Sequence, residues 1–148
     1  MVGFQNKLFK GNVMIQITAL YAAILALIFV YLSRRIIKIR RKVKSAIGDA
    51  GDEQLKRAIR AHANFIEYVP LVLLLFAFLE FQHAPAILIH LLGILLVIGR
   101  IVHAYGLSQI KEDYRYRIVG TVITLNLILA SAILIFVVEL MEAISKIF

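Results

Sequence analysis

The sequence predicts an all-α integral membrane protein, a four-helix bundle formed as one domain over residues 1–148. Three observations carry that reading. The chain holds four apolar stretches, each close to the roughly 20 residues that cross a bilayer core as a helix. Its residues are 61% hydrophobic with a mean hydropathy of +0.87, well above the roughly 45–50% apolar share of soluble chains. No stretch shows the strict alternation of a membrane β-barrel. In lipid every backbone N–H and C=O must be satisfied within the protein, which leaves helices as the remaining solution.

The first stretch, VMIQITALYAAILALIFVYL at 13–32, is interrupted only by Gln16 and Thr18. It is too long for a cleavable signal peptide and no small-residue cleavage pattern precedes the charges that follow. Those charges, SRRIIKIRRKVK, contain no helix breaker, so the first helix is expected over about 13–44. SAIGDAGDE at 45–53 gathers glycine and aspartate and reads as the turn to a second helix at about 53–81. EFQHAP is a tight connection to a third helix at about 84–106, with Pro85 in the first turn, where its missing N–H is harmless. The fourth helix is expected at about 114–145, with its apolar part at 118–138.

Ten of the seventeen basic residues fall between Arg34 and Arg60, directly after an apolar span. Charge in that position points to membrane topology and lipid headgroups rather than nucleic acid. The third connection adds Lys111, Arg115 and Arg117, whereas 80–85 carries no Lys or Arg. The Lys/Arg bias therefore puts both basic loops on the cytoplasmic side and both termini on the opposite side. With no cysteine, the chain has no disulfide framework, thiolate metal site or thiol nucleophile of its own.

RAIRAHANFIEYVP, residues 57–70, is the most informative stretch, because it runs polar groups into a lipid span. On a helical wheel Arg57, Arg60, Asn64, Glu67 and Tyr68 lie within about 100° of arc, and His62 lies on the far side. Glu67 falls about 8 Å inside the span. Ionisable groups at such depth almost always face a bundle interior or a wet cavity. An internal salt bridge acting as helix glue, Arg60 with Glu67 or Glu67 with a basic group on the first helix, is one account. The stripe nevertheless carries more cations than carboxylates, which favours an anionic ligand. Pro70 is expected to kink the helix just beyond the stripe.

Other helices offer matching polar groups. Arg117, Thr121, Thr124 and Ser131 share about 80° of the fourth helix, a seam that also suits helix packing. Arg100 and His103 are one turn apart in the third, where Arg100 reads as closing the bundle beneath the loop or, second, as contacting a ligand. His90 has no second ligand nearby and reads as a hydrogen-bonded packing histidine, so no metal site is expected. Glu80, Glu139 and Glu142 read as solvated helix ends.

RAIRAHANFIEYVP resembles the second-helix motif of the MAPEG family, the membrane-associated proteins of eicosanoid and glutathione metabolism. The motif has an arginine, an asparagine four residues later, a glutamate three after that, then a proline. The four-helix layout, the basic end of the first helix, GRIVHAYG and RIVGT also match, and the chain is most similar to the bacterial branch. The resemblance implies a homotrimer binding glutathione between neighbouring subunits near the cytoplasmic face. Arg60, Asn64, Glu67 and Tyr68 match helix-two ligands, and Lys38 matches a carboxylate-binding arginine of some members. Arg40 and Arg41 match the basic pair ending the first helix, and His62 stands where glutamine or histidine is usual. Tyr105 is the counterpart of a glutathione-contacting tyrosine, although the loop after it differs in length from that of the human enzymes. Arg117 matches the arginine opening the fourth helix.

Glutathione suits these groups: the cations of Lys38, Arg40 and Arg60 complement its carboxylates, and Glu67 complements its ammonium. An arginine beside the sulfur lowers the thiol pKa from roughly 8.5, giving thiolate at neutral pH. By analogy Arg117 is the thiolate stabiliser, with Arg41 second. The expected activity is a membrane glutathione transferase acting on lipophilic electrophiles, with lipid-hydroperoxide peroxidase activity as an extension. The expected location is the bacterial inner membrane. The alternatives are a non-catalytic membrane trimer that binds a thiol, lipid or partner protein, and a small transporter or channel subunit. No span is polar along its whole length, as a pore lining requires.

Overall fold

The structure, a computed structural model, describes residues 15–111 and 113–147. The described chain folds into α1 (Ile17–Val43), α2 (Glu53–Phe81), α3 (Ala86–Leu107) and α4 (Tyr114–Ser145). All four are long and apolar enough to cross a membrane. Residues 13 and 14, where the first helix was expected to begin, lie outside the described residues. α1 continues past its apolar part to Val43 and ends on Lys44 in the left-handed conformation, φ 54°, with the Lys44 N–H bonded to the Arg40 carbonyl.

Two of the later helices, α2 and α4, start on a sequence-encoded cap. The Asp52 carboxylate accepts the Leu55 N–H at 2.7 Å, and Asp113 accepts the Arg115 N–H at 3.0 Å. Both use an aspartate to satisfy a donor that the first turn leaves open. Before Asp52 the chain reverses through Gly48 and Gly51, at φ 71° and 70°, a region that side chains with a Cβ avoid. α2 runs through Pro70 to Phe81 without leaving the helical state, although Pro70 cannot donate to the Ile66 carbonyl.

α2 and α3 form the centre of the bundle. α1 packs on both, α4 packs on both, and α1 and α4 do not meet among the described residues. Leu25, Phe65, Val72, Phe76, Ile89 and Leu96 fill the core. A smaller cluster of Ile39, Leu55 and Ala58 closes the basic end. α3 and α4 approach most closely where Gly99 faces Gly120: a methyl group built on Gly120 would lie 2.5 Å from the Gly99 carbonyl oxygen. At the other end Tyr21 bonds His90 Nδ1 at 3.1 Å, so His90 joins α1 to α3 as a packing histidine.

One acidic residue departs from the expectation of a solvated end. Glu80 accepts the backbone N–H groups of Gln16, Ile17 and Thr18 at 2.9, 2.7 and 2.8 Å. A carboxylate from the end of α2 thus caps the start of α1, where open donors and the helix dipole favour negative charge. Gln82 likewise donates to Glu139 at 2.6 Å and ties the end of α2 to α4. Glu80→Ala is expected to cost about 1–3 kcal/mol by leaving these donors without an acceptor. The check is faster hydrogen exchange at Ile17 and Thr18 and a lowered melting temperature, with Glu142→Ala as the neutral control.

Candidate functional site

α2 buries Ala58, Ala61, Phe65, Val69 and Val72 against its neighbours. The polar stripe borders that buried arc, and its members are used in different ways. Arg57 pairs with Glu53, one turn earlier, at 2.9 Å. Arg60 and Glu67 stand on the outer side, Nη1 to Oε1 at 3.9 Å, with side chains 61% and 50% exposed. Asn64 lies at the border and turns inward. His62 points the other way, as the wheel predicts: its Nε2 lies 2.9 Å from the Ser33 hydroxyl and its ring packs on Phe29.

Asn64 turns inward because of Arg100. This guanidinium is 1% exposed, within a span whose other polar side chains are His90, His103 and Tyr105. It donates to Asn64 Oδ1 at 2.6 Å and to Thr124 Oγ1 at 3.4 Å, with His103 Nδ1 at 3.3 Å and the Phe65 ring 5.8 Å away. Its Nε is buried without a hydrogen-bond partner. A guanidinium has only donors, so it binds Asn64 through the amide oxygen. α2, α3 and α4 therefore meet on one buried cation. The sequence marks Arg100 as structural; its direct contact with Asn64 has no sequence signal beyond the polar character of both positions.

The cations expected beside the stripe lie elsewhere on the subunit. Lys38 and Arg41 line an open groove of about 1060 Å³ on the basic end of α1, together with Arg34, Arg35, Lys42 and Gln54. No hydrogen bond or ion pair among the described residues joins Lys38 or Arg41 to Arg60 or Glu67. Arg40 donates to the carbonyls of Ala46 and Gly48 at 3.1 and 2.9 Å, holding the turn after α1. At the start of α4, the Arg117 guanidinium lies 5.2 Å from the centre of the Tyr114 ring. Tyr105 is exposed and meets Tyr116 edge to face at 5.5 Å. Tyr68 is partly buried. Among the described residues no group of three or more His, Cys, Asp or Glu side chains could hold a metal ion.

One subunit thus gathers Arg60, Asn64, Glu67 and, behind them, Arg100 and His103. It leaves Lys38, Arg41 and His62 on other surfaces. The outer side of the stripe is not covered by any helix of its own chain, although it lies within the span.

A sequence profile of the MAPEG family matches residues 18–137, which takes in all four helices. The chain is also similar to "Inner membrane protein YecN" of Escherichia coli strain K12, 38% identical over 90 residues, covering 61% of this chain and 69% of that protein. The protein of the same name from Escherichia coli O6:H1 matches with the same identity and coverage. The match spans the helices that carry the stripe and the buried arginine, and the chain belongs to the MAPEG family.

Proposed function

We propose that this protein is a glutathione transferase of the bacterial inner membrane that conjugates glutathione thiolate to lipophilic electrophiles. The observation that carries the reading is the uncovered face of α2. Glu67, about 8 Å inside the span, and Arg60 at its edge stand half exposed, and Arg100 holds Asn64 from behind by its amide oxygen. A loose ion pair facing lipid is costly, whereas the same groups complement a small zwitterion with surplus negative charge. Three copies complete the site by bringing Lys38 and Arg41 of one subunit to the stripe of the next. The name of the YecN relatives and the Lys/Arg bias of the loops support an inner-membrane location with the site towards the cytoplasm.

In this reading Arg60 and Lys38 hold the carboxylates, Glu67 takes the ammonium, and Arg117 stabilises the thiolate. The sulfur electron pair forms the C–S bond as the leaving group departs with its own pair. The same thiolate can reduce a lipid hydroperoxide, two glutathiones becoming the disulfide as the peroxide yields an alcohol and water. The Arg60–Glu67 contact, in which the two charges meet without a ligand, favours one competing reading, a non-catalytic trimer that binds a thiol, lipid or partner protein. Purified protein is expected to raise the thiolate absorbance of glutathione at neutral pH, and Arg117→Ala is expected to abolish that increase while binding persists. Full thiolate in Arg117→Ala contradicts the assignment of Arg117.

A further inference from the structure

We propose that Arg100 is a positioning residue of the glutathione site: it holds Asn64 by the amide oxygen, so that Asn64 meets the ligand only as a hydrogen-bond donor. The inference rests on the glutathione reading above and gives that site a further residue, one that never touches the ligand itself.

Arg100 stands seven residues before the end of α3 at Leu107, about 10 Å inside the span. A cation kept at that depth and 1% exposed is costly, and in a membrane protein such a group marks a functional site. The lengths of its contacts show which partner it is held on. Thr124 Oγ1 and His103 Nδ1 lie at 3.4 and 3.3 Å, near the limit of a hydrogen bond, whereas Asn64 Oδ1 lies at 2.6 Å. A contact that short is charge-assisted, the strong kind. Arg100 is thus tied more closely to α2 than to α4.

An asparagine amide has one oxygen that accepts and an NH2 that donates. The guanidinium takes the oxygen. Among the described residues, the buried side-chain polar atoms left without a partner are Thr18 Oγ1, Gln82 Oε1, Arg100 Nε and Ser131 Oγ. No described residue accepts from the Asn64 NH2, and it is not one of those buried atoms, so it stays accessible. Asn64 also stands one turn from Arg60 and one from Glu67, within about 60° of both around the helix. Its N–H groups suit a carboxylate or a peptide carbonyl of glutathione, while the ammonium is left to Glu67. Without Arg100 the amide is free to turn its oxygen to the ligand, where it repels a carboxylate.

A double-mutant cycle in glutathione affinity separates this role from mere closure of the bundle. Glutathione is titrated by calorimetry into the folded, assembled protein and its Arg100→Met, Asn64→Ala and doubly substituted variants, with thermal unfolding followed on the same preparations. Arg100→Met is expected to weaken binding about tenfold or more when Asn64 is present, and less than about twofold when Asn64 is already alanine. Asn64→Asp offers Arg100 a carboxylate in place of the amide oxygen and removes the NH2 donors. It is expected to hold the melting temperature and still lose about tenfold or more in affinity, and it decides the matter if Arg100→Met does not fold.

The same loss from Arg100→Met in both backgrounds, or no loss in either, overturns the proposal, because Arg100 then does not act through Asn64. Unchanged affinity in Asn64→Asp overturns it as well, because the amide donors are then not used. Both results leave the glutathione reading standing. Wild-type protein that binds no glutathione removes that reading and this inference with it.

Discussion

Gly120→Val is expected to prevent α3 and α4 from closing, with a loss of at least about 3 kcal/mol, the upper end of the usual cost of overpacking. The reason is what a side chain would meet. The nearest atoms to a Cβ at Gly120 are the Gly99 carbonyl oxygen at 2.5 Å, His103 Cβ at 2.6 Å and the His103 backbone N at 2.7 Å. Backbone atoms of a packed helix cannot swing aside, so the helices must separate. Gly93 differs, because the three nearest atoms to a Cβ there belong to the Tyr21 ring, a side chain rather than backbone, which must shift and lose its bond to His90. Gly93→Ala should therefore be milder. Separation at Gly120 also pulls Thr124 from Arg100 and carries Arg117, three residues upstream, away from the stripe. Folded yield and glutathione binding should fall together, measured by denaturant titration in detergent and by calorimetry on the surviving protein.

Glu67→Gln is expected to lower glutathione affinity about 10- to 100-fold while barely moving the melting temperature. Glu67 is the stripe's carboxylate at membrane depth, and a charge-assisted hydrogen bond to the ligand ammonium is worth about 1.5–3 kcal/mol. Its present partner is a weak one: the Arg60 contact is 3.9 Å long and half exposed, a class of pair worth about 0–1 kcal/mol. The two roles of the residue thus separate. Helix glue predicts a lower melting temperature and unchanged affinity; a ligand group predicts the reverse. Calorimetric titration and thermal unfolding on one preparation read both.

The helices were legible because hydrophobicity acts residue by residue: a run of roughly 20 apolar positions needs no tertiary partner to be recognised as a span. The wheel also separated His62 correctly, since direction around a helix follows from spacing alone. Asn64 shows where that reasoning stops. Its angle groups it with Arg60 and Glu67, yet it sits at the edge of the buried arc, and Arg100, 36 positions away, claims its oxygen. Glu80 was less legible still, because its partners are backbone N–H groups of a remote helix, which no side-chain pattern announces. Lys38 and Arg41 were expected beside the stripe, and a single subunit keeps them on a separate groove of α1.

The central claim is that the uncovered face of α2 is half of a glutathione site, completed by another copy. Equilibrium titration of glutathione into the purified membrane protein at neutral pH, followed by thiolate absorbance, tests it most directly. The account predicts a saturable rise in thiolate that Glu67→Gln shifts to higher glutathione concentration and Arg117→Ala removes. No saturable signal and no heat of binding at millimolar glutathione, from protein that is folded and assembled, would contradict it.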